Sequence, residues 1–386
     1  MARQQMTKTK KDSIYSYIDT DKKKKYAYRY KFYDAANKRK EKTKQGFATI
    51  QDAEKALIAV KATVLNGNEN FVVNENITLN QWFPQWIELK KNSWKPTTLK
   101  SKEMLCRRHI LPELGDLKLN KITKLVVQNR IVDDLVANEF SKNTIKAVCA
   151  TLGSILNDAV SEEILDRRRY VKLDFSQTKP TRKKEALTAA KLEEVLVTTK
   201  ATENATRYAI ILTLATTGMR KGELAALTWA DINFEKMTIS ITKTRDEYGV
   251  RDPKTRNSIR TINMSSELAE HLEKFKLWCI ETKNLYGTEL NENDYVFITA
   301  NIEPISSSYI VQMFHAFKKK HQIERFSAHV LRHTFVSILI AEGVPVTTIA
   351  KIIGDTPEMV MKAYAHSLAD EELKATRILS SLINFE

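Results

Sequence analysis

Cysteine is scarce in this chain, with Cys106, Cys149 and Cys279 the three among 386 residues. They lie far apart and match no metal or redox spacing, so reduced thiols in a cytosolic protein are expected rather than a disulfide framework or a thiolate metal site. A chain this long needs no covalent staples, and it exceeds one ordinary domain, so two or three are expected. No stretch approaches the ~18 apolar residues of a membrane span. The opening MARQQMTKTKK also lacks the apolar region of an export signal, so neither a membrane partner nor export is expected. Acidic residues are sparse at the start. The first 45 residues hold five Asp or Glu against 15 Lys or Arg, placing +10 of the formal +15 there. With a pI near 9.4, that charge calls for a polyanionic partner, and nucleic acid is the commonest one.

The basic start is interleaved with aromatics. Tyr26-Ala27-Tyr28-Arg29-Tyr30-Lys31-Phe32 alternates aromatic with small or basic residues, the period of a strand with one packed face. Residues 13–18 before it and the Lys-rich 38–44 after it complete an expected three-stranded sheet. Thr49 followed by Asp52 resembles an N-cap, and Ala53, Ala56, Leu57 and Val60 form the apolar stripe of a helix reaching about Val64. A sheet backed by a helix would present Lys22, Lys23, Lys24, Lys25, Arg29 and Lys31 to DNA. A solvated basic tail is the other reading of the same charge.

Residues 66–76, NGNENFVVNEN, are rich in Asn and carry Gly67, so a linker is expected. From about Leu79 to Arg169 the pattern is helices only. Pro84 and Pro96 lie near starts, residues 112–115 (PELG) read as a turn, and Ser141 caps a helix over 143–159. Residues 176–185, SQTKPTRKKE, are polar and basic, suiting an extended connector that lays Lys183 and Lys184 along DNA. A third domain begins near Leu187. The expected class is α+β, mainly α: a small sheet plus helix at 1–66, an all-helical domain at 77–173, and a mainly helical domain with a small antiparallel sheet at 187–386.

The third region carries the chemistry. Tyr208, Ile211, Leu212 and Ala215 recur at helical spacing and lead to Gly218 as a stop. Arg220 follows at a helix junction, with Glu223 one turn on, where the carboxylate can orient the guanidinium. Alone, such a pair is usually a surface salt bridge. Met237, Ile239 and Ile241, then Ile262 and Met264, alternate with polar residues, so two strands flank a long hairpin bearing Lys254. That lysine could serve a substrate or simply contact phosphate. Ser327 caps a helix whose buried stripe is expected to be Leu331, Phe335, Ile338 and Leu339. His329 and Arg332 share another face and suit an anion, because both donate to phosphate oxygens. Residues 346–353 read as a short helix stopped by Gly354, and Thr356-Pro357 opens another reaching Tyr364. Taken alone, that segment could be a helix-turn-helix with Tyr364 an ordinary half-buried aromatic.

In order, TTGMRKGELAALTWADI, PKT, HVLRHTF and IGDTPEMVMKAYAH resemble the signature boxes of the tyrosine recombinase, or phage integrase, family. The helical region before them resembles that family's core-binding domain. The N-terminal sheet resembles the arm-binding domain of integrases from temperate phages and conjugative transposons. Carried over by position, the resemblance makes Arg220 the first catalytic arginine, with Glu223 supporting it. It makes Lys254 the hairpin lysine and general acid, His329 and Arg332 the His-x-x-Arg pair, and Tyr364 the nucleophile. His329 would manage the tyrosine proton or support the phosphate. Two guanidiniums and an imidazole can neutralise a crowded phosphorane without a metal, and a 3′-phosphotyrosyl link keeps the bond energy for religation, so no cofactor is expected.

Asp355 departs from the pattern, standing where the family commonly has histidine. An ionised Asp cannot donate to phosphate, so Asp355 is expected to accept from an arginine or from the tyrosine hydroxyl. The tail DEELKATRILSSLINF places Leu373, Ile378, Leu379, Leu382 and Ile383 on one apolar face, for packing in cis or on a neighbouring protomer. The resemblance implies an integrase in the bacterial cytoplasm, working as a homotetramer on core and arm attachment sites of double-stranded DNA. An excisionase or a host DNA-bending protein is implied as a further partner. A type IB topoisomerase shares the chemistry without synapsis, and a non-catalytic DNA-binding regulator would need neither Lys254 nor the Arg220 box.

Overall fold

The computed structural model describes residues 5–34, 37–168, 172–179, 186–253 and 256–364. The chain forms two compact units, Met1–Arg182 and Lys183–Glu386.

In the first unit the described residues open with a four-stranded antiparallel meander, Thr7–Lys8, Ile14–Ile18, Lys24–Tyr33 and Arg39–Phe47. The expected sheet had three strands; Thr7 and Lys8 add a short edge by pairing with Ser16 and Tyr15. Alternation sets the faces. Ile14 and Tyr28, a cross-strand pair, are buried with Ala53 and Leu57 of the helix Ile50–Leu65. Thr49 caps that helix, its hydroxyl accepting from the Asp52 amide. The expected linker 66–76 instead contains a helix, Glu69–Asn74. Asn content masked an apolar anchor there: Val72 is buried, and the Lys42 ammonium donates to the Val72 carbonyl at 2.8 Å while pairing with Glu75 at 2.6 Å.

The rest of this unit is helical around Trp82, Phe83, Trp86, Ile110, Leu114, Leu152 and Leu156. Each such large side chain gains about 1.5–3 kcal/mol on leaving water. Pro84 lies inside the helix Leu79–Lys91, one turn beyond its Thr78 capping box, while Pro96 stands at the first position of Pro96–Leu105. The expected turn at 112–115 is the end of a helical run that continues through Cys106–Ile110 and Leu111–Leu114. Pro112 has no N–H to give to that run, and the turn directly before it, Cys106–Ile110, is π-helical, with the Leu111 amide donating to the Cys106 carbonyl five residues back. Ser141 caps Lys142–Ser161.

The second unit packs helices Ala189–Thr202, Ala205–Thr217, Ser266–Leu285, Ser307–His321 and Ala328–Ala341 against a three-stranded sheet, Ile232–Asn233, Thr238–Ile241 and Arg260–Asn263. The expected hairpin is there, with an added ribbon of Thr244–Asp246 and Gly249–Arg251 in its span. The buried side of Ala328–Ala341 is Leu331, Thr334, Val336 and Ile340, with Phe335 and Leu339 partly covered and Ile338 outside both clusters. The stripe is displaced because two apolar clusters meet this helix, one at Ala328 and Leu331, the other at Val336 and Ile340. Among the described residues no helix is long and apolar enough to cross a membrane.

Candidate active site

Two helix stops bring the charged residues together. Helix Ala205–Thr217 stops at Gly218, whose φ of +63° is left-handed and whose missing Cβ leaves room for the Phe335 ring. That stop delivers Arg220 as the N-cap of Lys221–Leu224, with Glu223 inside the first turn. Helix Val346–Ile353 likewise stops at Gly354, φ +67°, which delivers Asp355.

Glu223 is 3 % exposed and fully partnered. Its Oε1 accepts from Arg220 Nη1 at 2.9 Å. Its Oε2 accepts from the Arg220 amide and from Arg260 Nη2, each at 2.9 Å. Burial alone would raise the carboxyl, yet the Arg260 bond together with the Arg260 and Arg220 charges outweighs it and holds Glu223 below the usual carboxylate range. Arg260 in turn donates Nε to the Ile352 carbonyl at 2.5 Å and Nη1 to the Ser258 carbonyl at 3.0 Å, tying the sheet to the end of Val346–Ile353.

Asp355 bridges the two arginines expected to hold phosphate. Its Oδ1 accepts from Arg220 Nη2 at 2.7 Å, and its Oδ2 accepts from Arg332 Nη2 at 2.5 Å. Arg332 Nη1 donates to the Gly218 carbonyl at 2.8 Å. Arg332 is 7 % exposed; burial and the neighbouring Arg220 charge pull its pKa down, while Asp355 acts against them.

Tyr364 ends the described chain at residue 364, in the helical run 357–364 that starts after Thr356. It is 6 % exposed, within a cluster of Val336, Ile340, Ile349, Ile353 and Val360. Its hydroxyl lies 2.5 Å from His333 Nδ1. Burial pushes the phenol up to about 12, with the Arg332 charge lowering it and the Asp355 charge raising it, so both groups of the arginine bridge act on the hydroxyl.

The other expected residues are dispersed. His329 is exposed in the first turn of its helix, lining a cavity of about 260 Å³ with Lys221, Phe314 and Ser327. Lys254, Lys183 and Lys184 lie outside the described residues, as does the apolar tail after residue 364. In the N-terminal sheet, Arg29 Nε and Lys31 Nζ stand 3.3 Å and 3.9 Å from the two Glu41 oxygens, and Arg29 also lies over the Tyr15 ring. Lys22, Lys23 and Lys24 are exposed and Lys25 is half-buried. Two members of the site carry no local signal. Arg260 opens a strand far from its partner Glu223, and His333 adjoins Arg332 in a motif whose first histidine draws the attention.

Three family models match the chain: the phage integrase family over residues 185–371, the phage integrase N-terminal SAM-like domain over 78–136, and an arm DNA-binding domain over 13–64. A tyrosine recombinase XerC-like protein of Caldanaerobacter subterraneus subsp. tengcongensis is 27% identical over 348 residues, covering 84% of this chain and 88% of the relative. The solved Tn1549 transposon integrase, in complex with transposon right end DNA, shares the fold with a TM-score of 0.65 at 22% identity, covering 79% of this chain and 100% of that one. A lambda integrase tetramer bound to a Holliday junction gives 0.55 at 17% identity, covering 90% and 96%.

Proposed function

We propose, for a chain that belongs to the phage integrase family, that Arg220 and Arg332 seat a scissile DNA phosphate for attack by Tyr364. The protein is a tyrosine-type site-specific DNA recombinase that integrates and excises a mobile element. The observation that carries the residue assignment is convergence. Two guanidiniums anchored on separate elements turn their Nη2 groups to one anionic position, and the Tyr364 hydroxyl feels the charges of Arg332 and of the Asp355 carboxylate at that position.

In this reading Tyr364 Oη attacks phosphorus, the P–O5′ bond breaks, and a 3′-phosphotyrosyl bond forms. Negative charge gathering on the non-bridging oxygens is stabilised by Arg220 and Arg332, with His329 as a third donor. The phenolic proton passes to His333, the base already within hydrogen-bond distance, and Lys254 returns a proton to the leaving 5′-oxygen. Attack by the freed 5′-hydroxyl of a partner strand reverses the step and needs no ATP.

The same reading divides the chain into an arm-site domain at 1–66, a core-binding domain at 77–173 and a catalytic domain at 187–386. The positions of the three family matches support this division. Lys22 to Lys25, Arg29 and Lys31 contact the arm sites, and Lys183 and Lys184 lie along the core DNA. A homotetramer synapses two sites through a four-way junction, in keeping with the tetramer in which lambda integrase was captured. An excisionase or a DNA-bending host protein sets direction, and the protein works in the cytoplasm.

The test is a nicked duplex carrying the element's own attachment site. The expected result is a covalent protein–DNA adduct with wild-type protein and none with Tyr364→Phe, at equal DNA binding. Wild-type protein that binds the site yet forms no adduct contradicts the proposal.

A further inference from the structure

The arginine bridge has a division of labour that the recombinase chemistry leaves unexplained. Each guanidinium has a fixed anchor on Nη1: Glu223 for Arg220 and the Gly218 carbonyl for Arg332. Each also turns Nη2 to Asp355, one carboxylate oxygen apiece, and Arg220 Nη2 has a longer contact of 3.2 Å to the Gly354 carbonyl. A phosphodiester presents two non-bridging oxygens sharing one negative charge, so it offers these donors the same pattern as the carboxylate. Solvent reaches the bridge at Arg220 and Asp355, whose side chains are 33 % and 21 % exposed, and Asp355 is far more accessible than Glu223, the other carboxylate in the network, at 3 %.

Charge points the same way. Arg220, Arg260 and Arg332 with Glu223 and Asp355 form a linked network whose net formal charge is +1. Adding a phosphodiester while Asp355 stays would set two anions against each other between the same two cations. Exchanging one anion for the other leaves the balance unchanged, and both Nη1 anchors survive the exchange.

We infer that Asp355 is an internal stand-in for the scissile phosphate: its carboxylate occupies the phosphate seat, holds Arg220 and Arg332 in register without DNA, and is displaced when DNA binds. The inference rests on the reading of the arginine pair as a phosphate seat. Asp355 is thus a positioning residue. It keeps two like charges from splaying apart, and it lowers the affinity of the empty seat for stray anions. Displacement needs the carboxylate to swing outward from the residue after Gly354, while the Asp355 amide stays bonded to the Ala350 carbonyl at 3.0 Å.

The experiment compares inorganic phosphate binding to DNA-free, full-length protein, followed by phosphorus NMR at constant ionic strength, for wild type, Asp355→Asn and Asp355→Ser. Folding of each is checked by circular dichroism, and the two replacements guard against loss of either one. If the open seat is a minor state of about 10 % or less, its release strengthens apparent affinity about tenfold or more. The expected result is that gain in both variants, abolished when Arg220→Gln is added to either. Equal phosphate affinity in wild type and variants overturns the inference, as does a gain that persists with Arg220→Gln. Absence of the Tyr364 adduct in wild type is a separate result, which strikes the recombinase assignment of the pair and not the anion comparison.

Discussion

Glu223 is almost wholly out of water and stays charged because two arginines reach it. Its carboxyl is depressed, so its contribution to stability is present above its unfolded value near 4.5 and is lost as pH falls through the lower folded value. Glu223→Gln strands the buried Arg260 guanidinium and should cost about 3–5 kcal/mol in urea unfolding at pH 7. The gap to wild type should narrow below pH 4.5, and a gap independent of pH would contradict the assignment. His333 has a separate role to test. Asn at this position keeps a polar atom near Nδ1 without basicity, so His333→Asn should slow single-turnover cleavage by about 10²-fold or more. It should also flatten the acid limb of the pH–rate profile, where a general base is lost to protonation. A retained rate with an unchanged pH profile would leave His333 a merely structural neighbour. At this scale the sequence was partly legible. Arg220 and Glu223 meet by helical spacing, and Asp355 was expected to accept from an arginine or from the tyrosine hydroxyl. Its hold on both arginines was not legible, because 135 residues separate it from Arg220. Nor was the third arginine, because Arg260 reaches the helical Glu223 from a strand 37 residues further along the chain.

Helix stops aim the site. At Gly354 an added Cβ would stand 2.7 Å from Arg260 Nη1, in a left-handed conformation that side chains rarely adopt. Gly354→Ala should therefore destabilise by about 1–3 kcal/mol. It should also cut adduct formation more than DNA binding, because Asp355 and the run to Tyr364 both hang from this turn. Loss of stability with full cleavage would separate the turn from the chemistry. Caps and stops were the legible part of the elements: Thr49, Ser141, Ser327, Gly218 and Gly354 all stand where local side-chain and backbone chemistry put them. The helix Glu69–Asn74 was hidden because tertiary anchoring of Val72 and Lys42 overrides a composition that favours a linker. The stripe on Ala328–Ala341 shifted because periodicity cannot reveal that one helix serves two clusters.

Across the whole molecule the charge is concentrated where the arm-type family model matches. Replacing Arg29 and Lys31 together with Ala should weaken arm-site binding, and flatten its salt dependence by about two phosphate contacts. Core-site cleavage should stay largely intact, and equal loss at both sites would contradict the division of labour. The three thiols lie in the two apolar interiors, and burial holds Cys106, Cys149 and Cys279 up at about 12, 11 and 12. A raised acid keeps its proton in the folded state and loses it when unfolded, so stability should fall as pH rises above about 9. The cysteine spacing already pointed to reduced thiols. Composition could not supply the distances within the site, which depend on which chain segments the interiors bring together.

The most direct measurement is the chemical identity of the protein–DNA link. Wild-type protein trapped on a nicked attachment-site duplex should be digested with nuclease and protease, and the peptide containing residue 364 sequenced by mass spectrometry. A 3′-nucleotide on the Tyr364 oxygen is the expected result. A nucleotide on any other side chain, or none on a trapped complex, would contradict the central claim.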